Sequence, residues 1–335
     1  MRIVTAKRLL VVGLILLAVA VGLAVYPSNE YNFLPDKAHP VAPLVTVQGG
    51  KTAPGGGAVY FVDVVVRKAT LLERLFGGLH KGADLYPASA VNPPGVNDTQ
   101  RRKIDLEDMQ RSQQVAAAVA LSALHRSVVI THTGALIDAV AGGEPAVGKL
   151  APDDVIIAID GKRVTGPAGV YNEMAKHKPG DVVAFTIRRG KQSLVERIRT
   201  TAAPGQPKRP IVGIIIEPAV DLHLPIHVRI DAGNVGGPSA GLAFALEVME
   251  KLGKDVVHGH KVAATGEIFA DGSVGPIGGI KQKTIGAREA GVDAFLVPAG
   301  DNARQAEKYA HGLRIIPVQN FPQALRALAT LPPNA

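Results

Sequence analysis

The chain of 335 residues has room for two modest domains. It contains no cysteine, which excludes a disulfide scaffold, a thiol nucleophile and any cysteine-held zinc. Its net charge of +8 is scattered, with only short pairs such as Arg101-Arg102 and Arg188-Arg189. That pattern argues against nucleic acid as a partner and fits an anionic membrane or envelope surrounding.

The first eight residues include Arg2, Lys7 and Arg8 and no acid, and residues 9–26 then run 18 positions without a charge. This is near the length that crosses a bilayer core as a helix. A cleaved signal peptide, with small-residue sites at Ala18-Val19-Ala20 or Gly22-Leu23-Ala24, competes with an uncleaved anchor. The length of the run favours the anchor. Either reading keeps the basic flank in the cytoplasm and everything after about Pro27 outside it. Residues 28–43 read as a polar, proline-containing tether. Residues 44–47 and 58–66 (AVYFVDVVV) read as strands, 69–79 as a short helix, and 85–97 as a loop holding Pro87, Pro93 and Pro94. Residues 106–124, rich in Ala, Leu and Gln, predict a strong helix.

A compact module follows at 127–201, with strands at 135–140 and 182–190, a segment 150–159 leading into Asp160-Gly161-Lys162, and a helix at 167–176. Within it, residues 143–149 (GEPAVGK) match seven positions of a phosphate loop. The eighth is Leu150 in place of the magnesium-holding Ser or Thr, and Pro145 removes a backbone N–H, so no nucleotide is expected. A linker is expected at 206–210. Strands at 211–216, 226–230, 261–266, 294–297 and 314–318 then alternate with helices at 239–252, 280–290, 302–310 and 321–329, and a glycine-rich turn occupies 272–279. This half is α/β in character.

Residues 233–246 (GNVGGPSAGLAFAL) place Ser239 where it serves either as a helix cap or as a nucleophile. A serine nucleophile needs a base. Of the histidines outside the module, His223 and His227 lie nearest in sequence, but none stands in a glycine-rich catalytic setting. Residues 237–241 match the letters Gly-x-Ser-x-Gly, yet that elbow follows directly on an apolar strand, and here DAGNVG precedes it. Lysine is the other option, provided burial keeps it neutral. Lys281 and Lys283 stand in GSVGPIGGIKQKTIGAREAG. On a helix they point about 200° apart. Ile280 and Thr284 mark one face, and Lys283 adjoins it, a modest preference.

Two resemblances add to this. AVAGGEPAVGKLAPDDVIIAIDGKRV and HKPGDVVAFTIRRGK resemble a PDZ domain of the bacterial, protease-associated kind. That likeness implies a small β-barrel with helices that takes an extended peptide as an added strand. GGPSAGLAFAL followed by AATGEIFADGSVGPIGGIKQK resembles the proteolytic domain of the Lon family of serine proteases, over about residues 226–331. The resemblance implies that Ser239 is the nucleophile, Lys283 the base and Thr265 the support of the lysine, with Gly236, Gly237 and Ala240 as supporting backbone around the oxyanion and substrate. LEDMQRSQQVAAAVAL and GGAVYFVDVVV are similar to that domain's first helix and opening strand, so the PDZ module is read as an insertion.

The expected organisation is a cytoplasmic flank and transmembrane helix (1–27), a tether with the first part of the proteolytic domain (28–125), the PDZ domain (126–204) and the catalytic domain (205–335). The chain departs from full-length Lon in showing no ATPase module, and it has Gly236 where many ATP-dependent members carry an acid. The expected function is an ATP-independent, membrane-tethered serine endopeptidase with a Ser-Lys dyad, acting outside the cytoplasm on membrane or extracytoplasmic proteins. The PDZ domain would recognise C-termini or extended segments, or gate the site. No cofactor, metal or nucleotide is expected, and the Lon resemblance raises a homo-oligomeric ring. The alternative is a non-catalytic PDZ scaffold on an inactive protease fold.

Overall fold

The computed structural model describes residues 2–51, 53–92 and 96–332. Helix α1 (Arg2–Val25) is apolar over Arg8–Val25, and none of that stretch is buried. By length and composition it suffices to cross a bilayer. No tether follows it. Residues 28–43, expected as one, instead hold strand β1 (Pro27–Pro40), the correction with the widest consequences. Its Pro35, Asp36 and Lys37 hide the strand pattern, because a register shift between Pro35 and Ala38 takes this polar run out of the ladder.

Strand β2 (Val45–Val47) precedes the long strand β3 (Ala58–Thr70), which pairs antiparallel with β1. Helix α2 (Leu71–Leu75) starts from a capping box between Thr70 and Glu73. Strand β4 (Asp84–Pro87) and helix α3 (Ala88–Val91) occupy much of the expected loop at 85–97; its positions 93–95, with Pro93 and Pro94, lie outside the described residues. Helix α4 (Asp98–Ala123) begins earlier than its apolar pattern suggests, because Asn97 and Gln100 form a second capping box.

The next strands build a separate sheet. They are β5 (Val129–Val140), β6 (Val155–Ile159), β7 (Lys162–Arg163), β8 (Val182–Arg189) and β9 (Gln192–Arg199), with helix α5 (Pro167–Met174) between β7 and β8. The linker expected at 206–210 is a hairpin of β10 (Thr201–Ala203) and β11 (Gln206–Ile211). Strand β12 (Ile214–His223) then pairs with β5 along its whole length, giving the order β12-β5-β6-β8-β9 with β7 on β6. The boundary expected at 204/205 therefore falls short of the last strand of this sheet. Ile137, Ile156, Phe185, Ile187 and Ile198 form its own core.

Strand β13 (Val228–Ile230) returns to pair with β2. Helix α6 (Gly241–Lys251), strand β14 (Lys261–Ala264), the hairpin β15 (Glu267–Ile268) and β16 (Val274–Gly275), helix α7 (Ile280–Glu289), β17 (Ala294–Pro298), α8 (Asp301–Ala310), β18 (Arg314–Val318) and α9 (Phe321–Ala329) complete the fold. The main sheet has the order β18-β17-β14-β3-β1-β4, with β18, β17, β14 and β3 parallel neighbours. Its strands come from both sides of the β5–β12 module, so that module is inserted into one domain. Residues of α4, α6 and α9, such as Val119, Leu246 and Leu328, form one core, and Ile280, Ala287, Ala303 and Ala306 of α7 and α8 another. Covering both faces explains why β14 and β17 read as continuous apolar runs.

Candidate active site

Helix α6 starts at Gly241 with Ala240 as its N-cap, and no side chain caps it. Ser239 thus lies ahead of the helix and is not its cap, because its hydroxyl is used elsewhere. Ser239 Oγ and Lys283 Nζ are hydrogen bonded at 2.5 Å across 44 positions of sequence. Lys283 Nζ also donates to Thr265 Oγ1 at 3.2 Å. The Thr265 hydroxyl in turn donates to the Ser239 carbonyl at 3.1 Å, and the Gly266 N–H donates to that same carbonyl at 2.8 Å. The end of β14 therefore holds both the backbone of Ser239 and the amine of Lys283.

Lys283 reaches this point because α7 lies flat on the sheet. Gly286 permits the approach: a Cβ there would stand 1.9 Å from the Asp36 carbonyl of β1. Lys283 is only 3% exposed. Burial pushes its amine down to about 8, while the Asp63 carboxylate nearby pulls in the opposite direction. About a tenth of the amine is then neutral at pH 7 and half at pH 8. Lys281 takes the other direction and pairs with Asp84 at 2.7 Å.

The supporting positions divide. Gly237 has φ +82 and donates its N–H to the Asp105 carbonyl of α4 at 2.6 Å. Gly236 packs on α4 as well, where a Cβ would meet Asp105 Cβ at 2.8 Å. The two glycines seat the serine loop on α4, and the space beside the Gly237 Cα is open. The Ser239 and Ala240 N–H groups, in contrast, have no acceptor among the described residues. They are adjacent donors at the start of a helix, whose dipole favours negative charge there. Ser112 of α4 completes the seat by donating to the Pro238 carbonyl at 2.9 Å.

No histidine is hydrogen bonded to Ser239 among the described residues. The His227 backbone N–H donates to Gln48 Oε1 at 3.2 Å, and His223 pairs through its backbone with Val129 at the end of β12. Lys149 of the phosphate-loop look-alike is bonded to the Arg197 carbonyl. Sequence reasoning missed Asp63 and Ser112. An acid inside the apolar run FVDVVV was a signal for the first; Ser112 carried none. Asp63, Asp36 and His39 bring ligand atoms within 4.8 Å of one another and, among the described residues, could hold a cation.

A cleft of about 630 Å³ opens beside Pro238, between the outer face of the β5–β12 sheet and the domain that carries Ser239. Asp108 and Arg111 of α4, Asp138, Asp153 and Glu217 of the inserted module, and Glu267 of β15 line it. Arg111 bonds Asp153 at 2.5 Å and also Asp108, bridging the two units. Burial raises Glu267 to about 8 and Asp108 to about 7.

Comparison with known proteins finds both kinds of domain in the chain. A family model for the Lon protease (S16) C-terminal proteolytic domain matches residues 208–330, and one for the PDZ domain matches 109–198. The chain is 38% identical over 116 residues to the Lon protease of Chloroflexus aggregans, covering 33% of this chain and 14% of that protein. It is 36% identical over 129 residues to the Lon protease of Helicobacter pylori, covering 37% and 15%. The match thus spans about one seventh of the length of these curated relatives. The solved PDZ domain of the SdrC-like protein from Listeria monocytogenes is 25% identical, covers 26% of this chain and 90% of that one, and has a TM-score of 0.24. Its counterpart from Listeria innocua gives 26%, 25%, 92% and 0.23.

Proposed function

We propose that this chain, which carries a Lon-type proteolytic domain interrupted by a PDZ domain, is a membrane-tethered serine endopeptidase that works without ATP. One observation carries the reading: a buried lysine, with its amine lowered to about 8, lies 2.5 Å from a serine hydroxyl. Neutral Lys283 accepts the Ser239 proton as the alkoxide attacks a peptide carbonyl. The Ser239 and Ala240 N–H groups receive the oxyanion. Lys283 then protonates the leaving amine, and water, deprotonated by the same lysine, releases the acyl group. Thr265 orients the amine, since its hydroxyl is held by the Ser239 carbonyl and leaves a lone pair for Lys283.

Helix α1 anchors the protease, with the basic N-terminal flank in the cytoplasm and both domains outside it. The PDZ domain selects or gates extended segments. In support, β12 is an edge strand of its sheet, and Ile214 and Ile216 border a groove of about 280 Å³ beside Val170, Tyr171 and Met174 of α5. Assembly into a homo-oligomeric ring belongs to the same proposal and is checked by the mass of the detergent-solubilised protein.

The test compares lipid-embedded wild type with Ser239→Ala on an unfolded protein substrate, with no nucleotide present. Cleavage by wild type alone is expected. Equal cleavage by both would sink the proposal and favour the non-catalytic PDZ scaffold, and cleavage only on adding ATP would remove the ATP-independent part.

A further inference from the structure

The membrane helix runs into the protease fold with no slack. The Tyr26 N–H donates to the Gly22 carbonyl, and the Tyr26 carbonyl accepts from the Leu71 N–H at 2.9 Å. Pro27 is already paired with Thr70 in the main sheet. Helix α2 packs directly on α1, and Gly22 and Leu23 are the positions between 8 and 25 where α1 is partly covered. Whatever surface surrounds this exit point is therefore held against the bilayer.

That surface is apolar where a soluble protein's would be polar. Leu75 is 63% exposed, Phe76 60% and Leu79 52%, all within nine residues of the Leu71–Tyr26 bond. Arg74 and Lys81 flank them, both exposed. The apolar span Arg8–Val25 has 18 residues and is about 27 Å long, close to the roughly 30 Å hydrocarbon core, so its end at Val25 lies at the boundary between core and headgroups. Leucine and aromatic side chains bordered by basic ones suit that boundary.

The geometry points to residues 75–81 as a membrane foot: Leu75, Phe76 and Leu79 insert into the lipid interface around the exit of α1, and Arg74 and Lys81 meet anionic headgroups. This rests on the reading of α1 as an anchor. The foot bears directly on the catalytic helix. Gln282 Nε2 donates to the Gly82 carbonyl at 3.1 Å and to Asp84 at 2.9 Å, and Lys281 pairs with the same Asp84. Five residue steps lead from Leu79 to Asp84, a reach of at most about 18 Å. The foot thus holds Lys283 close to the bilayer surface and directs the protease to segments of membrane proteins that lie near the lipid.

The chain contains no tryptophan, so a single introduced indole reports cleanly. Full-length Phe76→Trp and, separately, Leu16→Trp are placed in phosphatidylcholine vesicles with and without phosphatidylserine. Their emission is read with lipids brominated near the headgroup or deep in the tails. Emission from Phe76→Trp is expected to be blue-shifted and quenched by shallow bromines, more so with phosphatidylserine. Emission from Leu16→Trp is expected to be quenched by deep ones. Quenching in Leu16→Trp without quenching in Phe76→Trp overturns the foot and leaves the anchor standing. A blue-shifted Phe76→Trp that bromine does not reach shows contact with a second copy and also overturns it. If neither variant is quenched, the anchor reading fails and the foot with it.

Discussion

The Ser239–Lys283 site and the acidic cleft beside it bury ionisable groups in opposite senses. Desolvation favours the neutral form in both. At the Ser239–Lys283 pair it lowers an amine to about 8 and so makes the neutral form accessible. In the cleft it raises Glu267 to about 8 and Asp108 to about 7 and so removes charge between two domains. One physical effect thus has a chemical use on one wall of Pro238 and a structural one on the other. The partners differ too. Lys283 meets two hydroxyls, which accept from the ammonium without a full opposing charge. Arg111, a permanent cation, bonds Asp153 and Asp108 and joins the domains.

The sharpest break of this contrast is the exchange of the two lysines of α7. Lys283→Ala is expected to lower kcat/KM on the order of a thousandfold or more. Lys281→Ala, which loses contacts with Asp84, Ala83 and Tyr309 but none with Ser239, should stay within about threefold. Large loss at Lys281 with an active Lys283→Ala reverses the assignment. Next in size, Thr265→Val should lower kcat roughly tenfold, the worth of one hydrogen bond, with KM little changed. An unchanged kcat would remove Thr265 from the site.

The pH profile separates the two regions more finely. Lys283 acts as a base only when neutral, so kcat/KM should rise through about pH 8. Asp63 favours the charged amine, so Asp63→Asn should move this rise to lower pH. A move upward would show that Asp63 does not act on Lys283 by its charge. The cleft should answer in stability instead. Glu267 binds its proton more tightly in the folded than in the unfolded chain, so stability falls as pH rises from about 4.5 toward 8. Glu267→Gln removes that decline. Its Tm should exceed that of wild type by a few degrees at pH 9, roughly 2–4 °C per kcal/mol, and match it near pH 5. Equal Tm values at both pH values would place the Glu267 carboxyl in solvent.

The elements of the catalytic half were legible because each is locally consistent. Apolar runs bounded by glycines gave β14, β17 and β18, and amphipathic spacing gave α8 and α9. The strand β1 was not legible. Its polar and proline content looks like a linker, and only pairing to β3 and β4 and the cover of α7 make it a strand. Strand β12 shows the same limit: its III run at 214–216 is apolar in any sheet, and only its pairing with β5 decides which one it joins.

By itself, the sequence determined the kinds of residues and their order: a membrane-length apolar helix, an inserted module, and a serine, a threonine and two lysines in separated motifs. Helical periodicity leaned toward Lys283, but it reports only which side of a helix a residue occupies. What lies opposite that side is a tertiary fact. Packing of α7 on β1 buried one lysine beside Ser239 and gave the other to Asp84. Other tertiary contacts set Asp63 near the amine, tied Gly236 and Gly237 to α4, and joined helix α1 to the sheet without a tether. Desolvation and hydrogen bonding act through space, so the lowered amine of Lys283 and its contact with Ser239 exist only once the chain has folded.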